Sequence, residues 1–271
     1  MKKLISTLFG LFNLSIIKKE KLINIDLERK KYKHEYEKLK FIFLNHSIRN
    51  PNKLFKFFPN SKSQIFQDMF VINELNFKRK GFFIEIGAAN GKNLSNTYIF
   101  EKFFDWEGLV VEPARVWKEQ LNINRQCKIS YDCVAKESDL TIEFNETEKP
   151  EFSRIKSDKN YIDSHEYLRK KNNKIYKVKT ISINDLFIKY DIPKNIDYLS
   201  IDTEGSEFEI LCKLDFDKYN ISVITVEHNF TGNRKKIFDL LSKNNFKRVQ
   251  IEFSNFDDWY VNKNLNDFNI K

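Results

Sequence analysis

From Ser63 onward, short runs of β-forming residues alternate with runs of helical character, and this rhythm constrains the fold more than any other feature of the chain. The strand-like runs are GFFIEIG (81–87), GLVVEP (108–113), KISYDCVA (128–135), DYLSIDTEG (197–205) and ISVITVEHN (221–229). Helical stretches over 94–104, 115–124, 206–213 and 234–243 follow or separate them. Strands interleaved with helices predict a largely parallel α/β sheet. The central strands are nearly continuous apolar runs, as expected where helices cover both faces. KRVQIEF (247–253) and DWYVNK (258–263) close the chain as an antiparallel pair.

The segment 140–177 breaks the rhythm. A short strand-like TIEF precedes the polar, aromatic-dotted FSRIKSDKNYIDSHEYLRKKNN. It follows the third strand, so it is placed to fold over the carboxyl ends of the strands, where open α/β sheets bind their ligands. Its basic residues Arg154 and Arg169, with His165, are candidates to meet an acceptor, and the basic run suits a phosphate on that acceptor. A solvated face explains the same run equally simply.

Composition separates the chain into two parts. Of 47 Lys/Arg and 38 Asp/Glu, residues 1–62 hold 15 and 5 and the remainder 32 and 33. The net charge of +9 therefore lies in the N-terminal arm over an almost neutral body, which argues against nucleic-acid binding by the body. The arm, residues 1–60, opens MKKLISTLFGLFNLSIIKKEK and continues as a charged helical stretch over 18–45. Its apolar run of 4–17 is too short to span a membrane and lacks a cleavage site. An amphipathic helix on an anionic membrane surface, a helix docked on the body, and contact with a second subunit in a homodimer all suit it. Three cysteines make no even disulfide framework and suit a reducing, cytoplasmic compartment.

The most specific local signal is FFIEIGAANGKN. An apolar strand delivers Glu85, then Gly87, Ala89 and Gly91 at alternate positions, a turn that lets backbone approach a ligand. A carboxylate at that strand end repels a diphosphate and suits a cationic ligand. Glu112 ends the second strand, placed to accept both hydroxyls of a ribose. Asp132 and Cys133 end the third, where an adenine amino group would be read. S-adenosylmethionine, with its amino group and sulfonium, matches the ordered set.

SQIFQDMFVINEL, GFFIEIGAANGKNLSNT, VVEP, LSIDTEGSEFEIL and ITVEHN together resemble the FkbM-type methyltransferases over residues 61–260. The resemblance implies a Rossmann-like class I methyltransferase fold: a seven-stranded, mostly parallel sheet with one antiparallel strand. It implies a cofactor pocket lined by Glu85, Gly87, Asn90, Asn96, Glu112 and Asp132, with Gln64 and Asp68 at its edge. Helix capping accounts for Gln64 and Asp68 equally well. It also implies action on hydroxyls of sugars or polyketide-type products.

A sugar hydroxyl needs a general base or a metal to become a nucleophile. Asp202 and Glu204 leave the fourth strand, Glu207 follows, and Glu227, His228 and Asn229 leave the fifth. Two readings stand side by side. Asp202, Glu227, His228 and Asn229 could hold Mg²⁺ through hard ligands, in a layout similar to catechol-type O-methyltransferases. Without a metal, His228 serves as base. The expected activity is S-adenosylmethionine-dependent O-methyl transfer to a sugar, nucleotide-linked sugar or surface-polysaccharide precursor. The rivals are an RNA methyltransferase tethered by its arm and a non-catalytic adaptor.

Overall fold

A computed structural model describes residues 24–25, 27–29, 32–33, 35–42, 48–156, 166–170 and 173–265. The chain divides into two compact units, Met1–His46 and Ser47–Lys271. In the first, the described residues from 24 to 42 are helical. The apolar run of 4–17 lies outside the described residues. Among the described residues no helix is long and apolar enough to cross a membrane.

The second unit begins earlier than residue 61. Helix α1 (Pro51–Phe55) starts under an Asn50 cap whose side chain accepts from the Lys53 N–H, and a 3-10 turn spans Phe58–Asn60. Leu54 and Phe58 are buried, Phe58 packs on Phe66 (ring centroids 5.0 Å) and Phe57 on Phe104 (4.8 Å). Aromatic burial of this kind joins residues 51–60 to the body rather than to the arm.

The main sheet has seven strands: β1 (Phe82–Ile86), β2 (Glu107–Val111), β3 (Lys128–Ser130), β8 (Asn195–Ile201), β9 (Asn220–Glu227), β10 (Phe246–Val249) and β11 (Asp257–Asn262). Their spatial order is β10-β11-β9-β8-β1-β2-β3. All neighbouring pairs are parallel except those made by β11, which runs against both β9 and β10. The sheet therefore has the seven strands and the single antiparallel strand that the resemblance implies.

Helices cover the sheet: α2 (Gln67–Glu74), α3 (Tyr98–Phe103), α4 (Lys118–Asn124), α6 (Ile183–Lys189), α7 (Glu207–Leu211) and α8 (Asn233–Lys243). The central strands are buried along almost their whole length, which is why they read as unbroken apolar runs. Beneath α2, Phe70 stacks on Trp259 of β11 at 4.6 Å, both rings fully buried. Truncating either to alanine would cost about 3–5 kcal/mol.

Two parts of the sequence reading change. KISYDCVA is two strands, not one: β3 stops at Ser130, whose hydroxyl donates to the Asp132 carboxylate and accepts from the Asp132 N–H, and β4 (Cys133–Ala135) enters another sheet. That second sheet, of order β4-β7-β5-β6, contains β5 (Thr141–Glu146), β6 (Arg154–Ile155) and β7 (Lys174–Ser182). The described part of the irregular insertion thus supplies β5, β6 and the start of β7 to this sheet, with a short helix α5 (Glu166–Arg169).

Candidate active site

The first turn of the site leaves β1 at Gly87. Its φ is +90°, and a Cβ there would lie 1.6 Å from the carbonyl oxygen of Asp202. Gly91, at φ +77°, would set a Cβ 2.5 Å from Leu121 and 2.7 Å from Arg125. These glycines are demanded by the protein's own neighbouring strand and helix, not by a ligand's approach. Asn90 fixes the turn by accepting from the Lys92 and Asn93 amides. Ala89 adopts φ +44° and donates its N–H to Glu112.

Glu85, expected to face a cationic ligand, is instead occupied by protein. Its carboxylate accepts from Ser95 Oγ (2.8 Å), the Asn96 N–H (2.6 Å) and Thr97 Oγ1 (2.6 Å). Arg125, wholly buried, lies 3.4 Å away and also grips Glu101 at 2.7 Å, the Gly91 carbonyl and the hydroxyls of Ser95 and Thr97. Glu85 therefore anchors the loop that leads into α3. Asn96 emerges from that loop, donating to Ser200 Oγ while its Oδ1 is buried without a partner.

At the end of β2, Glu112 accepts from the Ala89 N–H and the Ala114 N–H, both at 2.8 Å. Burial pushes its pKa up to about 7 against the pull of those two amides. A carboxylate oxygen can accept more than once, so each retains capacity for a further donor. Asp132 is paired with Lys189 at 2.7 Å and sits at the sheet edge. Cys133 is buried on β4, and burial raises its thiol to about 12, which keeps it protonated. Asp68 is buried and accepts from Ser61, Ser63 and the amides of Lys62 and Met69, so it clamps its own loop. Gln64 is exposed. The partner across the sheet is Gln67, which donates to Asp257 at 2.8 Å.

Acidic groups crowd the ends of β8 and β9. Ile201 and Val226 are paired in register, so Asp202 and Glu227 stand opposite one another one step beyond. Asp202, Glu204 and Glu227 each place a carboxylate oxygen within 4.8 Å of the others. Burial, together with the charge of neighbouring carboxylates, raises the pKa values of both Asp202 and Glu227. Glu207 turns inward to cap its own segment, accepting from the Thr203 and Gly205 amides. Burial, then the charge of Asp202, raises Asp257 to about 8.

His228 does not join this group. Its Nδ1 accepts from the Phe230 N–H at 3.0 Å, and Nε2 lies 3.7 Å from the Asp258 carboxylate, with both side chains about 1% exposed. Its nitrogens thus face protein, which argues against His228 as general base or metal ligand. Asn229 meets the group indirectly, its Nδ2 lying 3.5 Å from Glu204.

Beside these strand ends a cleft of about 550 Å³ runs between the second sheet and the 203–206 loop. Lys136, Arg154, Thr203, Glu204, Asn233 and Lys236 are among its lining. Arg154 lines this cleft, held by Glu166 at 2.8 Å. Arg169 is not a substrate contact: 2% exposed, it bonds the Phe152 carbonyl and Glu204. His165 lies outside the described residues.

Against this geometry, the family model of the methyltransferase FkbM domain matches residues 85–260, more than half of the chain. The chain belongs to the FkbM methyltransferase family. Two solved structures are similar at low identity. A precorrin-6y C5,15-methyltransferase from Geobacter metallireducens is 11% identical, with 67% of this chain and 71% of that one covered and a TM-score of 0.37. A methyltransferase FkbM from Methylobacillus flagellatus is 10% identical, with 74% and 56% covered and a TM-score of 0.39. The search of curated proteins found no match.

Within this FkbM methyltransferase, sequence reasoning missed Arg125 and Asp257. Arg125 gathers groups 24 to 40 residues away, and Asp257 meets Gln67 across 190 residues. No local spacing marks either.

Proposed function

We propose that this chain transfers a methyl group from S-adenosylmethionine to a hydroxyl of a carbohydrate, such as a nucleotide-linked sugar or a surface-polysaccharide precursor. The observation that carries the reading is Glu112. Two backbone amides hold it at the end of β2, and its oxygens retain room for the two hydroxyls of a ribose. Asn96 Oδ1 offers an unused buried acceptor, suited to the cofactor's ammonium. Buried carboxylates with raised pKa values around Asp202 favour a cationic ligand nearby.

Bound there, the cofactor supplies an electrophilic methyl group on sulfur. The protein's task is alignment, exclusion of water and removal of the acceptor's proton. The cleft borders Glu204; its surface is mainly apolar, and Thr180, Thr203, Ser206 and the charged groups on its walls supply bonding partners for a polyhydroxylated acceptor. Lys136 and Lys236 on its walls suit an acceptor carrying phosphate. The carboxylates at the ends of β8 and β9 are the groups placed to take the hydroxyl proton.

The reading is tested with S-adenosylmethionine carrying a tritiated methyl group and a panel of nucleotide sugars. Label in a base-stable carbohydrate ether, dependent on the protein, is expected. Label only in RNA, or in no acceptor, would overturn it.

A further inference from the structure

The Asp202–Glu204–Glu227 group differs from the buried acids that protein donors satisfy. Glu85, Asp68 and Glu207 each have donors arrayed around them. Glu227 is 6% exposed, yet its Oε2 has no hydrogen-bond partner. The backbone brings the three carboxylates together deliberately. Asp202 and Glu227 leave adjacent parallel strands side by side. Glu204 adopts φ +60° ahead of Gly205 at +124°, a turn that returns its carboxylate toward the other two. A left-handed non-glycine residue of this kind costs free energy and persists where the surroundings demand it.

We propose that Asp202, Glu204 and Glu227 hold a divalent cation of the magnesium–manganese class. Carboxylate oxygens are hard ligands suited to such ions. Oxygens bound about 2.1 Å from an octahedral ion lie about 3–4.2 Å apart, so groups already within 4.8 Å need only small side-chain rotations. The charge also matches. Arg169 pairs with Glu204, so three ionised carboxylates and one guanidinium leave two negative charges for one dication. Arg169 and Asn229, which meet Glu204 from outside the group, orient it as outer partners orient metal ligands.

This ligand set differs from the one read in the sequence: Glu204 replaces His228, and Asn229 moves outward. The remaining coordination positions would open toward the cleft that Thr203 and Glu204 line. There an acceptor hydroxyl would bind the ion and lose its proton more readily to a carboxylate oxygen that the ion leaves unligated. That use rests on the proposed methyl transfer; the binding of the ion does not.

The test is a titration of chelator-treated full-length protein with Mn²⁺, the free ion being read by electron paramagnetic resonance. One ion bound per chain, displaced by Mg²⁺, is expected. Glu227→Gln and Glu204→Gln should each weaken binding at least about tenfold, whereas His228→Gln should not. Thermal melting confirms that each variant is folded, and either carboxylate variant suffices. Free Mn²⁺ rising one for one with added metal, or folded carboxylate variants that bind like the wild type, would overturn the site. S-adenosylhomocysteine binding measured in parallel separates the two proposals: its loss breaks the cofactor reading, and loss of Mn²⁺ binding alone breaks only this one.

Discussion

Two acidic strand ends of this sheet look alike in sequence and differ in the fold. Glu85, at the end of β1, is surrounded by two hydroxyls, an amide and a buried guanidinium. Glu227, at the end of β9, shares its surroundings with Asp202 and Glu204 and leaves one oxygen unpartnered. A buried carboxylate whose donors are all protein holds structure together. One that lies among other carboxylates is costly until a cation or a proton arrives. The comparison assigns scaffolding to the first end and chemistry to the second.

The largest effect expected from this contrast is on turnover. Glu227→Gln should lower kcat by roughly 100-fold or more, the contribution typical of a group that activates a nucleophile, while leaving the urea midpoint unchanged or raised. A variant with normal turnover would return Glu227 to the scaffold. Glu85→Ala should do the opposite. Loss of the acceptor at the centre of the Arg125 network should cost about 3 kcal/mol in urea unfolding, because the guanidinium stays buried with less compensation. A cost below about 1 kcal/mol would mean that Glu101 alone satisfies Arg125.

Ligand-free protein should also show the crowding as a pH dependence. Folding raises Asp257 from 3.8 to about 8, so the folded chain binds that proton more tightly than the unfolded one. The resulting stability is full below the ordinary value and is lost as pH rises through about 8. The melting temperature should therefore fall as pH rises from about 4 to about 8, between the unfolded and folded values, and Asp257→Asn should flatten the fall. A melting temperature that climbs over this range would contradict the burial argument.

The smallest effect is expected at His228. Burial favours the neutral form of Asp258, yet the hydrogen bonds and charge of Arg234 hold its pKa well below the carboxylate range. Arg234 and Arg248 keep contact with Asp258 when the imidazole is removed. His228→Gln should thus change kcat by less than about tenfold, and a loss of roughly 100-fold would restore it as the base.

The parts legible in the sequence are those where burial writes a pattern. The strands β1, β8 and β9 are apolar on both faces and announce themselves, and the antiparallel β10–β11 pair follows from two short runs near the chain end. Strand β7 was not legible because KIYKVKTIS is exposed over much of its length and carries three lysines. The site was legible as residue types at strand ends, but not as roles. A carboxylate before a glycine turn reads the same whether a ligand or Ser95, Thr97 and Arg125 take it. The need for Gly87 came from the Asp202 carbonyl, 115 residues away in the chain. Only the partners across the sheet separate scaffold from site.

The central claim is that the β2 end holds the methyl donor while the β8 and β9 ends act on the acceptor. Calorimetric titration of S-adenosylhomocysteine into the full chain tests it most directly. The account predicts one site per chain, binding kept in Glu227→Gln, and binding weakened by about 1–3 kcal/mol in Glu112→Ala, the cost of leaving buried hydroxyls without their acceptor. No heat with the wild type, or equal affinity in Glu112→Ala, would contradict it.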